Sequence, residues 1–182
     1  MILASYNLAI KKHKKDFFEA VDMLRINSPW YTMDDLDNVF KYTSKPKFVD
    51  VNIKQRSKAK ITDHNHTQLL SFVGKNNVDW VGISNVEDPE VYSVVRKLLG
   101  NQTTKICAKI ETDLGCWKAE DIMNEFDGIM VDVEDLASEV GWEKASEEKN
   151  RIYKLCEEKG KDYFRLAGVI FEYVEKNREK DM

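Results

Sequence analysis

Short apolar runs alternate with amphipathic helical patterns along this chain, about seven times over, and this alternation restricts the fold more than any other feature. Residues 1–7, 24–27, 47–52, 78–85, 105–112, 128–133 and 163–167 read as strands. Helical patterns cover 13–23, a stretch from 32, 67–74, 88–99, 120–126, 142–159 and 169–180. Ser28-Pro29-Trp30 breaks the chain after the second strand. The clearest helix opens on Asp88-Pro89-Glu90, with a cap, a proline at the first position and an acid in the first turn. Val91, Val94, Val95, Leu98 and Leu99 are its expected buried stripe, and Gly100 its stop. Crossover helices between successive strands imply parallel pairing. Two layouts satisfy this, a doubly wound sheet and a closed barrel.

Length narrows the barrel option. A complete eight-unit barrel usually takes about 250 residues, and this chain has 182. No composition shift divides it, so one domain over 1–182 is expected. With 42% apolar and 33% charged residues it is neither low-complexity nor disordered in composition. A net charge of -4 disfavours nucleic acid and anionic membranes as partners. The apolar start precedes the basic run Lys11–Lys15, the reverse of a secretion signal, and no stretch is long enough to span a membrane. Cys107, Cys116 and Cys156 are odd in number and widely spaced, which suits ordinary buried thiols in a reducing, cytoplasmic setting.

In parallel sheets the functional site lies beyond the C-terminal strand ends. Those ends carry Arg25 and Asn27, Asp50 and Asn52, Ser84 and Asn85, Lys109 and Glu111, then Asp132, Glu134 and Asp135. Lys109 and Glu111 are two apart and share a face. Glu111 and Asp135, from successive strand ends, suit an octahedral divalent ion such as magnesium, which could polarise a carbonyl and stabilise an enolate. Arg25 suits a carboxylate or phosphate clamp, and Lys109 a donor to developing negative charge. The alternative is a set of ion pairs closing the mouth, Lys109 with Glu111 or Asp135 and Arg25 with Asp50. Elsewhere, residues 53–66 form a basic, irregular loop holding Lys54, Arg56, Lys58 and Lys60. No glycine-rich phosphate loop occurs.

Residues 105–111, Gly115, Asp127-Gly-Ile-Met-Val131 and Glu134-Asp-Leu136 resemble the phosphoenolpyruvate/pyruvate barrel superfamily. Ala108-Lys-Ile-Glu111, Asp127-Gly-Ile-Met-Val131, Val78-Asp79-Trp80 and Val95-Arg96 through Gly100 resemble pyruvate kinase. Ile110-Glu-Thr112 and Glu134-Asp-Leu-Ala137 with Val140-Gly141 resemble citrate lyase beta chains and related aldolases. The resemblance implies an α/β fold, a minimal parallel (β/α) TIM-like barrel of seven units or with an incomplete eighth. It implies Glu111 and Asp135 as divalent-metal (Mg2+) ligands, and Arg25 at the acidic group of a small oxo acid such as pyruvate. It implies Lys109 as the lysine beside the enolate, and Asn27 and Asp50 as substrate-side residues resembling two monovalent-cation ligands.

The chain also departs from pyruvate kinase. Val133-Glu134 replaces Arg-Gly before the second metal carboxylate, Ala167-Gly168 replaces a threonine and glutamine, and Glu87 replaces an arginine. Only a short loop stands near Arg56, where a nucleotide-covering domain would be inserted, and the C-terminal regulatory domain is not expected. Lyase or aldolase chemistry therefore fits better than phosphoryl transfer, which needs both nucleotide and phosphate positioned. The competing function is an inactive barrel that regulates by binding a protein or metabolite. With no eighth-strand candidate, the barrel must close with seven strands, borrow one, or cover its edges in a homodimer.

Overall fold

The computed structural model describes residues 1–5, 22–42, 44–52 and 64–166. Residues 13–21 of the helical pattern at 13–23, the pattern at 169–180, most of the basic loop, and Ala167-Gly168 fall outside them, and Met23, read as a helix end, opens a strand instead. Among the described residues there are seven strands: β1 (Ile2–Ser5), β2 (Met23–Asn27), β3 (Lys47–Val51), β4 (Trp80–Ile83), β5 (Lys105–Ile110), β6 (Gly128–Val131) and β7 (Asp162–Leu166). They pair in parallel, in chain order, and close into a barrel. The seam is β1 on β7, with Leu3 opposite Leu166 and the Arg165 N–H donating to the Met1 carbonyl at 2.9 Å. Seven strands therefore suffice for closure. The described sheet has no open edge, and the edge argument for a homodimer loses its premise.

Local sequence explains most helix boundaries. α1 (Met33–Tyr42) starts on a reciprocal box: the Asp35 N–H donates to Thr32 Oγ1, and the Thr32 N–H to Asp35 Oδ2, both at 3.1 Å. α2 (His66–Lys75) starts on the equivalent box between Asn65 and Gln68. α3 (Val91–Leu99) begins three residues after Asp88. Asp88 Oδ1 accepts the Glu90 N–H at 2.9 Å, and the N–H groups of Val91, Tyr92 and Ser93 reach carbonyls three residues back, so a tight turn precedes the helix. Val95 and Leu99 are buried, but Val94, at the margin of the stripe, is 59% exposed. Gly100 ends α3 with φ +69°, where a side chain would be strained.

α4 (Asp113–Trp117), α5 (Ala119–Glu125), α6 (Val133–Val140) and α7 (Trp142–Lys159) complete the described helices. α7 and its Gly160 stop match the sequence expectation. α4 and α6 do not. The sixth strand reads as 128–133 in the sequence, whereas it stops at Val131 and α6 starts at Val133, taking up Glu134 and Asp135.

Period-2 alternation sorts the strand residues into two sets. Val49, Val81, Ile83, Ile106, Ala108, Ile110 and Ile129 join the core that also holds helix residues such as Leu36, Val95 and Ile152. The alternate positions meet in a second cluster, Met23, Phe48, Trp80, Cys107, Met130 and Phe164, which plugs the barrel interior. Phe164 packs on Phe48 and Trp80 at centroid distances of 5.1 and 4.6 Å. Gly82 makes room for this plug, since a Cβ there would lie 2.3 Å from Phe48 Cε1.

Candidate functional site

Above the aromatic plug the barrel interior turns polar. Arg25, Asp50 and Lys109 each stand two positions beyond a plug residue, Met23, Phe48 and Cys107 respectively, so the same alternation turns them inward. Glu111 follows Lys109 by two, and Asp132 follows Met130 by two. Asp50, Lys109, Glu111 and Ser84 are all buried, and charges at such depth need partners.

Lys109 supplies much of that partnership. Its Nζ donates to Asp50 Oδ2 at 3.2 Å and to Ser84 Oγ at 3.3 Å. It also lies 2.6 Å from Glu111 Oε1 and 3.9 Å from Asp132 Oδ2. Burial would lower the Lys109 pKa, but Asp50 and Glu111 outweigh it and raise the pKa, so the ammonium stays charged. Arg25 donates from Nε to Asp50 Oδ2 at 2.8 Å, and its second guanidinium nitrogen pairs with the same oxygen. Burial also opposes the Arg25 charge, and Asp50 restores and raises its pKa. Asp50 would be pushed up by burial, yet Lys109 and Arg25 hold it below the usual carboxylate range. Ser28 Oγ donates to the Asp50 carbonyl at 2.6 Å, tying the turn after β2 to β3.

Glu111 behaves differently. Burial raises its carboxyl pKa, and Lys109 offsets this only in part, with Asp50 and Asp132 adding repulsion. Its Oε2 accepts the Asn85 N–H at 2.9 Å. Ligand oxygens of Glu111, Asp132 and Asp135 all lie within 4.8 Å of one another. Sequence reading paired Glu111 with Asp135, and the structure adds Asp132 to them. Asp132 occupies the cap position of α6, but its side chain makes no capping hydrogen bond. In the sequence Asp132 reads as the end of a strand over 128–133 and takes no ligand role. Asp135 sits in the exposed first turn of α6, where the helix N-terminus favours negative charge.

The three carboxylates fit a hard divalent cation such as magnesium by donor type. Charge agrees with donor type. Asp50, Glu111, Asp132 and Asp135 face Arg25 and Lys109, so the group has a formal charge of -2 that a divalent ion would neutralise. The ion pairs weighed as the alternative are also present, Arg25 with Asp50 and Lys109 with Glu111. Asn27 ends β2 in register with Asp50. Among the described residues, no donor reaches the buried acceptors Asp50 Oδ1 and Asn52 Oδ1. Glu134 is exposed on α6. A separate groove of about 640 Å³, lined by Leu114, Trp117, Lys144 and Arg151 among others, lies between α4 and α7, and no residue of the mouth lines it.

Comparison with known proteins agrees with this architecture. Residues 41–177 match the family described as pyruvate kinase, barrel domain. That span contains Asp50, Lys109, Glu111, Asp132 and Asp135, whereas Arg25 and Asn27 precede it. A pyruvate kinase from Clostridium perfringens (strain 13 / Type A) is 31% identical over 104 residues, 56% of this chain and 22% of that protein. The chain thus spans only 22% of the length of the curated relative it matches. Strand order, inward charge pattern and sequence match converge: the chain belongs to the pyruvate kinase barrel-domain family, as a divergent and partial member.

Proposed function

We propose that residues 1–182 form one barrel domain that binds a divalent cation, magnesium in the cell, together with a small oxo acid such as pyruvate at the C-terminal mouth. The observation that carries this reading is the cluster of Glu111, Asp132 and Asp135 oxygens within 4.8 Å of one another, beside a buried lysine. A bound divalent ion there would supply Lewis-acid polarisation of a carbonyl oxygen. Lys109 remains protonated, so its role is to donate to an enolate oxygen, while the methyl proton that leaves carbon passes to solvent water. Arg25 would orient the oxo-acid carboxylate, with Asp50 holding the guanidinium in place. Asn27, in register with Asp50, completes the substrate side.

A second reading is favoured by one observation: two nitrogens of Arg25 already serve Asp50, which limits what the guanidinium can give a ligand. On that reading the barrel binds the metal and oxo acid without turnover, as a regulator. Exchange of pyruvate methyl protons in deuterated water, followed by NMR with and without Mg2+, separates the two. Mg2+-dependent exchange that vanishes in Lys109→Met supports the enolate reading. Binding of Mn2+ and oxalate without exchange supports the second. Failure of Mn2+ to bind at millimolar concentration overturns both.

A further inference from the structure

Asn85 is one of two described non-glycine residues with positive φ, at +54°. It stands two residues past the end of β4, after Ser84, where the chain leaves the barrel wall. The Ser84 N–H donates to Val51 on β3 at 3.1 Å. In a continuing parallel strand the next N–H would reach the backbone of β5. Here it turns aside: the Asn85 N–H donates to Glu111 Oε2, and the Val86 N–H makes the bond to Lys109 O at 3.1 Å. The left-handed residue thus spends a ladder donor on a side chain. Asparagine tolerates that region, whereas a β-branched residue does so only under strain.

We infer that Asn85 is a positioning residue for the metal site: its left-handed backbone aims an N–H at Glu111 Oε2 and so fixes the carboxylate that Asp132 and Asp135 meet. The inference rests on the metal reading above, but the geometry of Glu111 is its own subject. Held by one oxygen, Glu111 keeps Oε1 toward Lys109, 2.6 Å away. Without that anchor the carboxylate rotates about its terminal torsion, which is broad for glutamate.

The test measures Mn2+ affinity of the full chain carrying Asn85→Gly, Asn85→Val or Asn85→Ala, well below each variant's Tm. In parallel, the Glu111 carboxyl 13C resonance of ion-free protein is followed, assigned by its loss in Glu111→Gln. Asn85→Gly keeps the left-handed backbone, so affinity stays within about twofold of the wild type and the resonance does not move. Asn85→Val weakens Mn2+ binding about tenfold and shifts the resonance. Rescue by glycine separates positioning from a general packing role. If Asn85→Val does not fold, Asn85→Ala takes its place with a smaller change of the same sign. Wild-type affinity and an unmoved resonance in the strained variants overturn the inference. If the wild type itself takes up no Mn2+, the metal reading fails and the resonance alone decides: a shift in Asn85→Val absent from Asn85→Gly upholds the positioning, and no shift ends it.

Discussion

Lys109 Nζ and Asp50 Oδ2 meet at 3.2 Å across the barrel interior, although their strands are not neighbours in the sheet. β4 lies between them, and its inward position at that level is Gly82, followed by Ser84, neither of which blocks the contact. Arg25 approaches the same oxygen of Asp50. Replacing Asp50 by Asn leaves two cations facing each other without their shared anion. Asp50→Asn is expected to destabilise the fold by about 3–5 kcal/mol in urea titration. A loss under about 1 kcal/mol would show that water reaches the pair and screens it.

The third carboxylate makes its own prediction. Asp132→Asn keeps size and removes charge, and it should weaken Mn2+ binding at least about tenfold in a calorimetric titration. Glu134→Gln, on the exposed face of α6, should change affinity by less than about twofold. Equal effects from both would mean that general negative potential, rather than ligation, attracts the ion.

Gly82 tests the narrow bore of a seven-stranded barrel. A methyl group there would press on the Phe48 ring at 2.3 Å, and Phe48 is in turn held by Phe164. Gly82→Ala should cost about 1–3 kcal/mol by overpacking, read as a lower Tm. Restoring space with Gly82→Ala/Phe48→Leu should recover part of the loss, because the two sites share one contact.

Alkaline pH should loosen the fold through its buried thiols. Burial pushes the Cys116 and Cys156 thiols up to about 12, and raises Cys107 well above its ordinary value near 9. Each thiol ionises in the unfolded chain near pH 9 but resists in the folded one. The stability is therefore fully present below pH 9 and is lost as pH rises toward 12. Lys109, whose pKa is raised by Asp50 and Glu111 against the pull of burial, adds a loss of the same sign above its unfolded value of 10.5. Urea midpoints should fall steadily above pH 9, and native thiols should alkylate far more slowly than unfolded ones at pH 8.

Several site features are legible in the linear pattern for a stated physical reason. Lys109 and Glu111 share a face because strand side chains alternate, and Thr32 with Asp35 announces α1 because an unpaired helix start needs acceptors. Glu111 and Asp135 as candidate ligands come from their place at successive strand ends, and the resemblance implies the same pair. Asp132 reads as a strand-end residue but not as a ligand, because the junction of β6 and α6 has no local signature: a charged run after a strand reads equally as a strand end or a helix start. Val94 escaped because stripe margins depend on what packs beside them.

Alternation of strand and helix patterns, and with it parallel pairing and the shared face of Lys109 and Glu111, belongs to the sequence alone, since backbone periodicity is a local property. Closure belongs to the tertiary structure. Leu3 meets Leu166 only when seven twisted strands bring the first and last edges together. The grouping of Glu111, Asp132 and Asp135 likewise depends on where α6 starts relative to β5, a long-range packing decision. So does the pairing of Lys109 with Asp50, because only the curvature of the wall carries two strands that never hydrogen-bond to each other within reach of one ion pair.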